Sequence, residues 1–228
     1  MSIKKIIAIG SAKGGVGKST ITAALASSLS KDYKVGVLDA DIYGPNQHIL
    51  FDISSKPEFI TKDNKKLIKP FVKKNIEMIS MGLILESNKA AAWRGPMLSG
   101  AVKQLSASTN WSDLDYLLID MPPGTGDAYL TIFKDMKIDN FLIITTPSNL
   151  ALADVKKTIN LIEKFNIPIL GYIENNILGS DIIKDDIFQN KNINKLGSFN
   201  FNKEMENFKI ENYIDQADAI AKVIIKRC

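Results

Sequence analysis

Cysteine is almost absent: of 228 residues only Cys228, the last, carries a thiol. One thiol cannot close an internal disulfide, so a cysteine-stapled secreted scaffold and a CxxC redox pair are both excluded. Arginine is nearly as scarce. Arg94 and Arg227 leave lysine as 27 of the 29 basic residues, and 25 acidic residues reduce the formal charge to +4. So small an excess, spread evenly as lysine, describes a solvated surface and gives no case for specific nucleic-acid binding. Histidine occurs once, as His48, and is expected in a loop. No apolar run approaches the ~18–20 residues that cross a bilayer, so no membrane span is expected. The opening MSIKKIIAIG imitates a secretion signal, but Ile6–Ile9 is too short for its apolar core and runs straight into glycine. A cytoplasmic chain is the expectation.

What remains is ordinary for a globular protein: 45% hydrophobic and 24% charged residues fit a packed core inside a charged surface. At this length folding can bury roughly 70–75% of the unfolded surface, enough for one domain over residues 1–228 without staples. Short runs rich in Ile, Val and Leu alternate with longer helical patterns. The strand candidates are Ile6–Gly10, Val35–Asp39, Ile76–Met81, Leu117–Asp120, Phe141–Thr145 and Ile169–Ile173. They are apolar at successive positions, as parallel strands covered on both faces are. Helices are expected near Ser19–Ser30, Pro96–Ser108, Ala128–Met136, Leu152–Phe165 and Ile214–Arg227. In the fourth, Leu152, Val155, Ile159, Ile162 and Phe165 recur at helical spacing. This alternation predicts an α/β fold with a doubly wound, mostly parallel sheet. Two stretches break the rhythm: a polar, lysine-rich excursion at about 51–74, and a variable surface insertion at about 176–195.

The strand Ile6–Gly10 leads into Ser-Ala-Lys-Gly-Gly-Val-Gly-Lys-Ser-Thr at 11–20, then into an alanine-rich helix. This fits the phosphate-loop pattern G-x-x-x-x-G-K-[ST] in its required strand–loop–helix setting, and so predicts a P-loop NTPase with an α/β/α arrangement. Gly14, Gly15, Val16 and Gly17 would turn backbone N–H groups onto phosphate oxygens, with the helix dipole aimed at the same anion. Lys18 would contact the β- and γ-phosphates of ATP, Ser19 would bind Mg²⁺, and Thr20 would reach an α-phosphate oxygen.

Carboxylates close the pattern. Asp39 and Asp41 follow the second strand, at the carboxyl end where open α/β sheets bind ligands. If the chain stays extended, both can approach Mg²⁺ and an attacking water. Leu117–Ile119 ends in Asp120, the arrangement whose carboxylate holds Mg²⁺ through water. Met121–Asp127 follows as a switch loop, with Pro122, Pro123 and Gly124 at its start and Gly124 or Gly126 able to swing an N–H toward a γ-phosphate. Asp113 and Asp115 read as solvent or capping residues.

The strings KGGVGKST at 13–20, LDADIYGPN at 38–46, WRGPM at 93–97, DLDYLLIDMPPGTGD at 113–127, TTPSNLALADV at 145–155 and GYIENN at 171–176 resemble the Mrp/ApbC iron–sulfur cluster carriers. Those carriers belong with the MinD, ParA and nitrogenase iron proteins that share a deviant Walker A loop. The resemblance covers about three quarters of the chain in the correct order. It implies ATP hydrolysis, slow and dependent on a homodimer, in iron–sulfur cluster assembly or transfer, with client or scaffold proteins as partners. It further implies that Lys13 reaches the nucleotide of the partner subunit, that Asp41 helps place the hydrolytic water, and that Asn175 recognises adenine. Trp93 is expected in the core or an interface; Arg94 has no derivable role. Two departures accompany the resemblance. The carriers usually place C-x-x-C after the segment matching GYIENN, but residues 176–186 hold no cysteine, so iron–sulfur ligands are unknown. The extra N-terminal domain of some relatives is not expected either, because Met1 lies almost on the first strand. Two alternatives stay open: a MinD/ParA-like positioning or partitioning ATPase, whose membrane version would use the last helix, and a nucleotide switch that has lost cluster binding.

Overall fold

The computed structural model describes residues 2–84, 95–176, 186–200 and 209–228. Its strands are β1 (Ile3–Gly10), β2 (Val35–Asp39), β3 (Phe59–Lys62), β4 (Lys65–Ile68), β5 (Phe71–Lys73), β6 (Ile76–Ser80), β7 (Leu114–Asp120), β8 (Asn140–Thr145), β9 (Ile169–Asn176) and β10 (Lys195–Asn200). The helices are α1 (Lys18–Leu29), α2 (Gln47–Leu50), α3 (Met81–Ile84), α4 (Gly95–Ser108), α5 (Asp127–Asp135), α6 (Asn149–Lys164), α7 (Asp186–Asn190) and α8 (Ile214–Arg227).

Eight strands form one sheet in the order β10-β9-β8-β1-β7-β2-β6-β5, parallel throughout except for β5, which runs against β6. Alternation explains why these strands read as continuous apolar runs. In β1, Ile7 and Ile9 enter one hydrophobic cluster while Ala8 enters the other. Likewise Tyr116 and Leu118 of β7 face one side, and Leu117 and Ile119 face the other. Helices α1 and α8 cover the first face; α4, α5 and α6 cover the second. The expected stripe on α6 is buried as Leu152, Val155, Ile159 and Ile162, and the Ser148 hydroxyl caps its start by accepting from the Ala151 N–H at 3.2 Å.

Register sets where the site lies. Ile9 pairs with Asp120, Asp120 with Asp39, and Asp39 with Ser80, so four adjacent strands finish level with one another. The loop after β1 emerges at this edge.

Several expectations are corrected. The strand expected to run to Met81 stops at Ser80, because Met81 opens α3. In the lysine-rich excursion, which the pattern reads as short strands and loops, β3 and β4 form a separate antiparallel hairpin. Within the expected surface insertion, Phe188 and Ile193 are buried, and Phe188 stacks on Tyr172 with ring centroids 3.8 Å apart. Its last residue, Lys195, begins β10, an edge strand the apolar pattern did not announce. His48 lies in α2, not in a loop. Trp93 and Arg94 fall outside the described residues.

The last helix packs inward. Ala217, Ile220, Ala221 and Ile224 of α8 are buried in the same cluster as α1 and as Leu196 and Phe199 of β10. The face that a membrane-binding helix would need is thus already covered. Ile220→Ala should cost about 3 kcal/mol of unfolding free energy, within the usual range for deleting a buried isoleucine side chain. Urea denaturation measures it, and an unchanged midpoint would contradict this packing.

Candidate functional site

Two glycines shape the loop between β1 and α1. Gly15 and Gly17 hold φ of +79° and +83°, the left-handed region where a side chain is strained. Gly17 has a second reason: a Cβ there would lie 2.3 Å from the Asn175 amide nitrogen. Lys13, Gly14 and Gly15 are exposed along the loop, whereas the Val16 side chain is buried beneath it. Helix α1 starts at Lys18, so the first helical residue is also the loop's second lysine.

Lys18 is almost fully buried. Its Nζ donates to Asp120 Oδ1 at 2.5 Å and stands 3.9 Å from Asp41 Oδ2. Two carboxylates from different strand ends therefore meet one ammonium. Asp41 accepts from the N–H groups of Tyr43 and Gly44 at 3.1 and 3.0 Å, closing a tight turn just after β2. Burial raises the Asp41 carboxyl above its ordinary pKa, against the pull of the Lys18 cation.

Asp39 behaves differently from expectation. The chain after β2 does not stay extended: the Asp41 N–H turns back to Asp39 Oδ1 at 3.2 Å. The other oxygen, Oδ2, accepts from the Ser80 hydroxyl at 2.7 Å and the Gln47 N–H at 3.0 Å. Both oxygens are engaged, the residue has no exposure, and it does not line the cavity. Burial foremost, then the neighbouring Asp120 charge, pushes its carboxyl up to about 7. Asp39 is a brace beneath the site.

A cavity of about 340 Å³ opens above the loop, lined among others by Lys13, Gly15, Lys18, Ser19, Thr20, Asp41 and Pro123. The structure thus gathers most of the residues expected from sequence. Pro122 is buried and Pro123 reaches the wall, while Gly124 takes φ +83° at the turn before α5. Asn175 ends up behind the loop, buried, its Nδ2 donating to the Val16 carbonyl at 2.9 Å and its Oδ1 without a partner among the described residues. A larger cavity, about 780 Å³, lies beyond α2 against Phe59 and Leu83 and shares no phosphate-loop residue.

Sequence patterns missed Gln47 and Ser80. Ser80 ends β6 in register with Asp39, which only the sheet reveals. Gln47 is fully buried and donates through Nε2 to Asp120 Oδ2 at 2.7 Å and to the Ser19 carbonyl at 2.9 Å. No motif marks it.

The profile of the ParA-type family described as NUBPL iron-transfer P-loop NTPase matches residues 2–223. The chain belongs to that family. Similar sequences include the iron–sulfur cluster carrier protein of Rickettsia conorii, 49% identical over 175 residues, which are 76% of this chain and 54% of that protein. The carrier protein of Aquifex aeolicus is 47% identical across 76% of this chain and 48% of its own length. The chain therefore spans about half the length of the curated relatives it matches. Among solved structures, a nucleotide-binding protein of Archaeoglobus fulgidus in complex with ADP superposes with a TM-score of 0.72 at 29% identity, over 96% of this chain and 88% of that one. The cell-division ATPase MinD of Pyrococcus furiosus gives 0.73 at 19% identity over 99% and 100%, a likeness of fold.

The contact between Gly17 and Asn175 is testable. Gly17→Ala should destabilise the fold by roughly 1–2 kcal/mol from the left-handed φ alone, with the Asn175 clash added. In a double-mutant cycle Gly17→Ala with Asn175→Ala should cost less than the sum of the two single changes. Additive costs by urea denaturation would show that the amide does not crowd the loop.

Proposed function

We propose that the chain binds and hydrolyses Mg²⁺–ATP as a homodimer and acts in iron–sulfur cluster assembly or transfer, the role carried in the names of its relatives. The observation that carries the nucleotide half is the convergence of Lys18, Asp120 and Asp41 at a glycine-shaped loop opening a helix. Backbone N–H groups of Gly14–Gly17 and the start of α1 supply the anion site. Phosphate oxygens would draw Lys18 off Asp120, exchanging one oxyanion partner for another.

The donor set suits magnesium. Ser19 and Asp120 offer hard oxygens, and among the described residues no three acidic, histidine or cysteine side chains form an all-protein metal cage. Mg²⁺ is typically held by one or two protein oxygens with phosphate and water completing the shell. Ser19 would hold the ion directly and Asp120 through water. When bound, the ion neutralises charge on the transferring phosphoryl group. Asp41, at the cavity wall and fixed by two backbone amides, is suited to orient a water. Asn175 would discriminate the base. Its Nδ2 lies on the Val16 carbonyl and its Oδ1 is buried away from the cavity, so the amide would have to turn out from behind the loop to accept from the amino group of adenine, where guanine presents an acceptor.

The cluster is cargo, and the ligands for it are not evident in this chain. Cys228 is the one thiol, half-buried, its Sγ 3.9 Å from Asn140 Oδ1. A four-iron cluster usually takes four thiolates, and two copies of this chain offer two. Thiolates from client or scaffold proteins are the consistent reading.

Lys18→Ala should abolish ATP binding by calorimetry while Asp120 keeps Gln47 as a donor and the fold persists by circular dichroism. Lys13→Ala should keep binding but lose most turnover, because the exposed Lys13 would serve the partner subunit's nucleotide; cations supplied in trans can be worth on the order of 10³–10⁵ in rate. Mixing Lys13→Ala with Lys18→Ala at fixed ATP decides between cis and trans, because in a mixed dimer the Lys13→Ala subunit holds nucleotide and would receive Lys13 only from its partner. Turnover that neither variant shows alone is the expected result, and a mixture as inactive as its components would overturn the trans role. As for cargo, anaerobic reconstitution of the chain alone should leave well under one four-iron cluster per dimer by iron and sulfide counting. A stoichiometric cluster would refute the partner-supplied thiolates.

A further inference from the structure

Gln47 is the group at the site that neither the phosphate-loop pattern nor the carboxylates account for. It is fully buried, and every donor it owns is spent. The backbone N–H goes to Asp39 Oδ2 at 3.0 Å, and Nε2 goes to the Ser19 carbonyl at 2.9 Å and to Asp120 Oδ2 at 2.7 Å. The orientation of the amide is fixed by chemistry: a carbonyl and a carboxylate only accept, so the NH₂ end must face them. That leaves the oxygen. Gln47 Oε1 is buried and has no hydrogen-bond partner among the described residues.

An unpaired buried acceptor costs on the order of 1–3 kcal/mol, and a hydrophobic residue of similar size would avoid that cost. Oε1 shares one carbon with Nε2, which already touches the two residues suited to hold magnesium. It therefore stays beside Asp120 and the turn that carries Ser19. We propose that Gln47 is a positioning residue for the metal: its Nε2 fixes Asp120 against the Ser19 turn, and its Oε1 accepts from a water in the hydration shell of the bound Mg²⁺. This rests on the nucleotide reading above and adds to it a determinant of metal affinity. A shell that keeps several of its waters needs acceptors such as this one.

Partners that orient metal ligands typically change affinity 10–100-fold when removed. The test is a Mg²⁺ titration of wild type, Gln47→Leu and Gln47→Glu with a fluorescent ADP, beside nucleotide binding measured in EDTA. Gln47→Leu should raise the Mg²⁺ midpoint at least tenfold while ADP affinity in EDTA stays within about threefold of wild type. Gln47→Glu keeps an oxygen acceptor but loses the Nε2 donor to Asp120, so its midpoint should rise less than that of Gln47→Leu, while its thermal stability without metal should fall as a further carboxylate meets Asp120. A purely structural brace would lower thermal stability in both variants and leave both midpoints unmoved. Gln47→Leu with a wild-type midpoint, or Gln47→Glu shifted as far as Gln47→Leu, would overturn the proposal. If Gln47→Leu does not fold, Gln47→Met, which also removes Oε1 but keeps an unbranched side chain of similar length, takes its place with the same expected midpoint. Wild type that binds no ADP with or without Mg²⁺ would instead sink the nucleotide reading, a failure visible before any variant is made.

Discussion

The buried contact between Lys18 and Asp120 is the constraint on which the site depends. An ammonium and a carboxylate at 2.5 Å, both nearly or fully excluded from water, cannot be separated cheaply. Removing one partner of such a pair typically costs about 3–5 kcal/mol, because the other charge is stranded. The pair also joins two parts of the chain that are 102 residues apart: the first turn of α1 and the end of β7. The position of the loop relative to the sheet is therefore set by charge as well as by packing. Burial foremost, with the neighbouring Asp120 charge adding to it, raises the carboxyls of Asp39 and Asp41 beside Lys18. A site in this balance favours an incoming cation.

Parallel register makes the crowding possible. Strands that finish level bring Ile9, Asp120, Asp39 and Ser80 side by side, so residues widely spaced in sequence share one edge. The sheet can hold these polar ends because its middle is apolar on both faces, with α1 and α8 on one side and α4, α5 and α6 on the other. Gly17 admits the amide of Asn175 from β9, and this contact ties the loop's underside to the next strand pair.

Much of this was legible in the residues. Uninterrupted Ile, Val and Leu runs gave β1, β2, β7 and β8 because central parallel strands bury every position. The phosphate loop was legible because its chemistry demands both residue type and spacing. Edge elements were harder to read. Strand β10, Lys195–Asn200, carries Gly and Ser and buries Leu196 and Phe199 with polar residues around them, so no run stands out. The local geometry of Asp39 was hard to read for a different reason: two carboxylates two positions apart suggest an extended chain, yet a backbone turn makes Asp39 a partner of the Asp41 amide. Gln47 could not have been found at all, since a glutamine acquires meaning only once it is seen to be buried.

Nucleotide machinery and cargo chemistry separate in this chain. Every part of the phosphate site is built from backbone amides, lysines, hydroxyls and carboxylates, hard groups suited to magnesium and phosphate. Iron–sulfur clusters require soft thiolates, and the chain has one, on its last residue. Nothing in the geometry around Lys18 or Asp120 depends on sulfur. Loss or transfer of the thiolate ligands to another protein would therefore leave the Lys18–Asp120–Gln47 cluster intact, since its hydrogen bonds close among β7, α1 and α2. Conversely, a change within that cluster would alter metal and nucleotide handling for whatever cargo is carried. The fold lets the two properties vary independently, and that is the physical sense in which a cysteine-poor chain can belong to an iron-transfer family.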